Sequence, residues 1–446
     1  MAHDPKATTG KQSALTADRR KLLLGLGVAA GGALASTLVP EKSLGAEDET
    51  IERQVTDAPS SNRADVEQRV PFYGIHQAGI VTPRPANGMV VAFDVIADTP
   101  ADFDKMLRKL TERIVFLTQG GQPPSLDPKL PPPDSGILGP EVFPDNLTIT
   151  VGLGDSMFED RPWLKHLKPR CLQKMTQFTN DALVAELCHG DLSLQFCANS
   201  ADTNIHALRD ILKNMPEYLV PRWKQEGNVP TILPDADGHV QSARNFLGFR
   251  DGSANPHSSN EALMDEIVWV GQGDGEPEWA IGGTYQAVRI IRNFVERWDR
   301  TPLGEQERIF GRKKMSGAPM DGKTENDVPN YAKDPNGKIT RLDAHIRLAN
   351  PRTPETQKNL ILRRPFNYSN GVTKNGQLDQ GLLFIVYQSD LERGFIAVQT
   401  RLNGEPLEEY IKPIGGGYFY VLPGARESGD YLGRKLAEAA AAGPPT

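Results

Sequence analysis

Cysteine is scarce in this chain. Its 446 residues contain three, Cys171, Cys188 and Cys197, and none falls in a CxxC pair or a spaced metal quartet. That excludes a cysteine metal cluster and leaves the three as buried small hydrophobes. One disulfide after export is compatible with the count, with no pairing assigned. Dense runs of Lys and Arg are also missing, and the net charge is −7, so the basic stripe that a phosphate backbone requires is absent and nucleic acid is excluded as a partner. No apolar run reaches the roughly 18 residues of a spanning helix. There is no residue-level repeat. The composition that is present, 38% hydrophobic and 24% charged, is that of a soluble globular protein, in a length that suits two half-sized domains.

The N-terminus reads as an address. Arg19-Arg20-Lys21 precedes a Gly/Ala-rich apolar core from Leu22 to Leu34, too short and too weakly hydrophobic for an anchor. Adjacent arginines before such a core resemble a twin-arginine signal, the route of proteins that fold around a cofactor before crossing. The alternative is the charged start of a general secretory signal. Cleavage after Ala35, Gly45 or Ala46 fits equally well. The expectation is a signal over residues 1–46, a polar linker over 47–69, and no stable membrane insertion after processing.

Met89–Ile96 then reads as a buried strand, and Pro100 opens an amphipathic helix with apolar Phe103, Met106, Leu107, Leu110 and Ile114. A Pro/Gly-rich loop, a strand at Leu147–Leu153, a strand at Leu192–Ala198 and a helix at Ala201–Met215 follow. The second half repeats this grammar, with strands at Tyr285–Ile291, Leu382–Gln388 and Tyr418–Leu422 and a helix at Thr301–Gly311. Strict βα alternation, the mark of a nucleotide-binding sheet, is absent. The expected fold class is α+β in two similar halves, residues 70–240 and 241–433, with a flexible tail over 434–446.

The sharpest local feature is Gly248-Phe249-Arg250-Asp251-Gly252-Ser253-Ala254-Asn255-Pro256, in which two glycines let a turn hold one carboxylate against a ligand. Taken alone, Asp-Gly is an ordinary turn. Further on stand Asp343-Ala344-His345-Ile346-Arg347-Leu348-Ala349-Asn350-Pro351-Arg352 and Ile361-Leu362-Arg363-Arg364. A lone histidine is usually structural, and an arginine pair usually makes surface ion pairs.

Together these pieces form a pattern: Gly-x-x-Asp-Gly, a later His, and an Arg eighteen residues beyond it. The combination resembles the signature of dye-decolorizing peroxidases. Resemblance spans nearly the whole mature chain. Pro71-Phe72-Tyr73-Gly74-Ile75-His76-Gln77-Ala78-Gly79-Ile80 looks like that family's opening strand, and Gly282-Gly283-Thr284-Tyr285-Gln286 before Trp298-Asp299-Arg300-Thr301-Pro302-Leu303 matches it as well. The run Gly394–Leu407 resembles the periplasmic deferrochelatase/peroxidase branch, although Pro365 stands where that branch is expected to carry glycine.

The resemblance implies two ferredoxin-like modules forming a dye-decolorizing peroxidase fold, with one haem b per chain held mainly by the C-terminal module. It implies His345 as the proximal iron ligand, with Asp390 as the carboxylate on its other nitrogen. Asp251 becomes the acid/base for peroxide, and Arg363 the cation that supports O–O cleavage. Gly252, Ser253, Ala254, Asn350, Pro351, Arg352 and Arg363 become haem contacts, with Arg352 and Arg347 candidates for the propionates. The implied reaction is peroxide-driven oxidation of dyes, phenolics or porphyrins, with Trp or Tyr residues relaying electrons from bulky donors. The alternative is a periplasmic haem-binding protein that frees iron from haem, served by iron-uptake components. A homodimer is implied as well.

Overall fold

The computed structural model describes residues 62–444, apart from 126, 231 and 233–240. The expected signal, the linker up to residue 61 and the expected module boundary at 240 lie outside the described residues.

The first half runs β1 (Asn87–Val95), helix Pro100–Gln119, β2 (Thr148–Gly154), β3 (Leu192–Ala198), helix Ala201–Asn214 and β4 (Leu219–Asn228). The pairing order is β4-β1-β3-β2, all antiparallel, which is the ferredoxin-like βαββαβ arrangement. Both helices start on a side-chain cap: Thr99 accepts from the Asp102 amide, and Ser200 from the Thr203 amide. In β1, Met89, Val91 and Phe93 face the helices while Val90 and Ala92 face the opposite core. A strand buried on both faces reads as one continuous apolar run, which is why it stands out in the sequence.

The second half repeats the order with β5 (Thr284–Asn293), the two-residue β6 (Leu362–Arg363), β7 (Phe366–Val372), β8 (Leu378–Gln388) and β9 (Ile411–Val421), paired β9-β5-β8-β7. Two seams join the halves. Gly152, Leu153 and Gly154 of β2 pair with Val421, Tyr420 and Phe419 of β9, and Asn228 of β4 pairs with Asn367 of β7. Since β5 also pairs with β8, eight of the strands close into a barrel. Its interior holds Val90, Trp223, Val288, Phe366, Ile385 and Phe419. Closure leaves few free strand edges.

Three expectations need correction. Pro71–Ile80 is not a strand but bends and turns. Its backbone is excluded from the ladder because the Gln77 side chain pairs there instead, donating to the Val151 and Leu422 carbonyls and accepting from the Val151 amide at 2.8–2.9 Å. Order begins before residue 70: the Asp145 and Asn146 amides donate to the Val66 and Gln68 carbonyls at 2.7 Å. Most of the segment expected as a flexible tail is helical: Arg434–Ala442 packs on Pro100–Gln119 with Leu436, Ala437 and Ala440 buried. Small alanines allow that close approach. The three cysteines are free thiols, all buried, in line with their reading as small hydrophobes.

In the second half, long segments replace the simple crossover helices. Residues 294–361 lie between β5 and β6, and residues 389–410 between β8 and β9. Both fold over the outer face of β5 and β8, and between them and that face lies a large cavity.

Candidate functional site

The cavity offers about 260 Å³ to the centres of water-sized spheres, against the roughly 10–15 Å³ that a single water needs. Ile291, Leu382 and Phe384 form its floor, and Phe395, Val398 and Leu402 its apolar side. Space of this size and character suits a broad, flat, apolar group far larger than peroxide.

His345 opens the short helix His345–Ala349 and lines the cavity, which accounts for the 29% of its side chain that is exposed. Its Nδ1 lies 2.7 Å from Glu405 Oε2. A carboxylate accepts, so Nδ1 carries the proton and the Nε2 lone pair is left for the cavity. Burial works against a charged ring, but the charge and hydrogen bond of Glu405 outweigh it and hold His345 above its ordinary pKa. The same pull makes the neutral ring a more electron-rich ligand. Phe310 packs edge-on to His345, with ring centres 5.8 Å apart, and stacks on Phe249 at 4.0 Å.

Phe249 begins the loop that carries Asp251. Gly248 at its head has φ +84°, where a side chain is strained, and an added Cβ would stand 2.7 Å from Lys314. Asn245 Oδ1 accepts from the Leu247 and Phe249 amides, and the Asp251 amide donates to the Ala243 carbonyl at 2.8 Å. The carboxylate so placed accepts from Arg363 Nη1 at 2.6 Å. Arg363 stands on β6, and Asn255 grips its backbone twice: Oδ1 accepts from the Arg363 amide and Nδ2 donates to the Arg363 carbonyl, both at 2.9 Å.

Gly252, Ser253, Ala254, Asn350 and Arg352 line the same cavity, whereas Pro351 between the last two does not. Arg352 sits at φ +58°, its amide donating to Asn350 Oδ1 at 3.1 Å. The Arg352 Nε is buried with no partner among the described residues, a donor waiting for an acceptor. Arg347 is engaged elsewhere, on the Thr340 and Asp334 carbonyls at 2.8 and 2.9 Å and over the Tyr331 ring at 4.9 Å, so a role at a ligand carboxylate does not fit it.

Asp390 is not the partner of His345. Its carboxylate pairs with Arg170 at 3.0 Å and Arg393 at 3.1 Å, accepts from the Arg393 amide at 2.8 Å, and lies outside the cavity lining. Glu405, only 5% exposed, takes that place. Sequence reasoning missed both Glu405 and Asn255, although each stands inside a run already singled out. An acid held between Gly404 and Pro406 in a mostly apolar stretch was the available signal for Glu405. No spacing rule ties it to a histidine sixty residues earlier.

The donor set is one imidazole nitrogen, one unpartnered guanidinium, a carboxylate–guanidinium pair and apolar walls. Among the described residues no group of three or more His, Cys, Asp or Glu side chains could hold a bare metal ion. His345 therefore suits a metal that arrives inside a larger ligand, and the Arg352 donor suits an anionic edge on it.

Residues 77–228 match the family model described as Dyp-type peroxidase, N-terminal, and residues 242–426 that described as Dyp-type peroxidase, C-terminal. A deferrochelatase of Yersinia pseudotuberculosis is 53% identical over 430 residues, 96% of this chain and 96% of that protein. Among solved structures, a DyP-type peroxidase from Cellulomonas bogoriensis is 34% identical with a TM-score of 0.74, covering 84% of this chain and 99% of that one. Ferric DtpA from Streptomyces lividans is 32% identical with a TM-score of 0.75, covering 85% and 100%.

Proposed function

The chain belongs to the Dyp-type peroxidase family, and from that premise we propose that it is a haem peroxidase, with one haem b in the cavity beneath His345. One observation carries the reading: an imidazole with a free Nε2 and a paired carboxylate and guanidinium line a single large apolar cavity. When bound, haem supplies the iron that accepts electrons from donors and gives peroxide a place to react. The protein does the rest. His345 Nε2 would hold the iron while Glu405 keeps the proton on Nδ1 and so fixes the ring. Arg352 would meet a propionate through its unpartnered donor. Asp251 would take the proton from peroxide and return it to the departing oxygen, and the Arg363 guanidinium would stabilise the negative charge that develops.

Glu405→Gln tests the support behind the ligand. It keeps the side chain's size but removes its charge, and the expected cost is about 10–100-fold in haem affinity or turnover, as for other outer partners of metal ligands. Haem titration of the purified apoprotein measures it. An unchanged affinity together with unchanged turnover would show that the 2.7 Å contact has no part in holding the ring.

A second reading is favoured by the name of the 53% identical relatives, deferrochelatase, which denotes removal of chelated iron. Both readings use the same pocket, so products separate them. The haem-loaded chain should bleach an anthraquinone dye when peroxide is added. Recovery of intact metal-free porphyrin from haem, with no peroxide-dependent dye oxidation, would transfer the function to the second reading.

A further inference from the structure

Next to the main cavity lies a second one of about 220 Å³, far above the roughly 10–15 Å³ that a single water needs. The two share Asp251, Gly252, Pro256 and Arg363 as walls. The Asp251–Arg363 pair is thus the partition between them.

The far side of the second cavity is built from residues 80–84 and 362–365, which bring in two further guanidiniums, Arg84 and Arg364. Arg364 is 5% exposed. Its Nη1 donates to the Thr82 carbonyl and its Nη2 to the Pro83 carbonyl at 3.3 Å, but its Nε is buried without a partner. Arg84 donates to the Pro365 carbonyl and lies over the Phe366 ring at 5.5 Å.

Charge does not balance in this space. Three guanidiniums face one carboxylate, Asp251, and that carboxylate is already taken by Arg363 at 2.6 Å. Among the described residues neither Arg84 nor Arg364 has a carboxylate within ion-pair distance. Backbone carbonyls satisfy their donors but do not neutralise them, and like charges out of water repel strongly. Arg84 registers the strain: burial brings it down to about 10, and Arg364 and Arg363 push the same way against Asp251.

We propose that this side cavity binds a small inorganic oxyanion of the sulfate type, held by the guanidiniums of Arg84, Arg363 and Arg364 and competing with Asp251 for Arg363. Guanidinium forks match the paired oxygens of such an anion better than a single-atom ion. An anion there offsets the excess positive charge of the three guanidiniums. Because Arg363 is shared with the peroxide step, the anion acts as a brake on it. The binding does not depend on the peroxidase reading; only the brake does, so the two fail separately.

Labelled sulfate is the probe, in equilibrium dialysis against the haem-loaded full chain, with ionic strength held by an organic sulfonate too bulky for the cavity. Saturable binding of one sulfate per chain is expected. Arg84→Gln, at a partly exposed position, should weaken it about tenfold or more, as should Arg364→Gln, since each removes a charge-assisted contact. If Arg364→Gln fails to fold, Arg84→Gln decides alone. In sulfate-free buffer Arg84→Gln should show the wild-type rate of the Soret change on peroxide addition. Sulfate should slow that change in the wild type along its binding curve, and the variant should need about tenfold or more sulfate for the same slowing. Absence of saturable binding, or equal affinity in wild type and Arg84→Gln, overturns the site. Binding with no effect on the wild-type rate overturns the competition for Arg363.

Discussion

Replacing His345 with alanine is expected to leave a folded chain that purifies without haem. The ring nitrogen left for the cavity by the Glu405 contact is the only proposed iron ligand, and no other histidine and no cysteine lines the cavity among the described residues. The loss in haem affinity should exceed the roughly 10–100-fold that removal of an outer partner costs. Folding should suffer less than the ~2–5 kcal/mol of a buried large-to-small change, because the side chain already faces open space. The alanine also leaves Glu405 buried without its partner, a penalty of about 1–3 kcal/mol that Glu405→Gln in the same chain should relieve in part. Added imidazole fits the vacated volume and should restore a Soret band. Haem content, circular dichroism and urea unfolding read the three effects. Full haem occupancy with unchanged iron coordination in His345→Ala would remove His345 from the site.

The elements that were legible in the sequence are those whose burial pattern is simple. β3 was read to its residue limits because every position in Leu192–Ala198 is buried, and the start of the helix Pro100–Gln119 because a proline stands just ahead of its apolar spacing. β4 escaped because charged residues separate Leu219, Trp223 and Gln225 and Pro221 interrupts the run. A proline is tolerated there since β4 pairs fully only with β1 and meets β7 at one residue. The start of β9 was hidden by Gly415-Gly416-Gly417, which carry no pattern. Tertiary contact demands them: a Cβ on Gly416, at φ +125°, would stand 1.9 Å from the Val288 carbonyl oxygen.

The site divides in the same way. Asp251, His345 and Arg363 lie in local motifs, and the fold brings all three to one cavity. Their supports are another matter. Which carboxylate meets His345 depends on how residues 389–410 fold back over β8, a stretch that holds Asp390, the expected partner, and also Glu405, which the sequence reading did not single out. Arg170 and Arg393 claim the first, so the second is left for the histidine. Such choices are settled by competition among partners in space, which a linear pattern does not record.

Asp251 and Arg363 should prove to act as one unit rather than as two independent groups. Asp251→Asn removes the proton acceptor with little change in shape, and positioned acid/base groups are typically worth about 10²–10⁴ in rate. Arg363→Leu removes the cation that supports bond cleavage, worth about 10²–10³ by analogy with an oxyanion donor. Each substitution should therefore slow the peroxide-dependent Soret change in stopped-flow by at least about tenfold, with haem retained because His345 and Glu405 are untouched. The direct 2.6 Å contact makes a further demand. Without Arg363, the carboxylate loses the cation that fixes its position; without Asp251, the guanidinium loses the anion that aims it. The second substitution then has little left to remove, so the double variant should be about as slow as the slower single one rather than slowed by the product of the two effects. A product-like loss would show that the pair seen in the cavity wall is incidental to the peroxide step. Wild-type rates in both single variants would mean that neither side chain meets peroxide, and proton transfer would have to be sought elsewhere in the cavity.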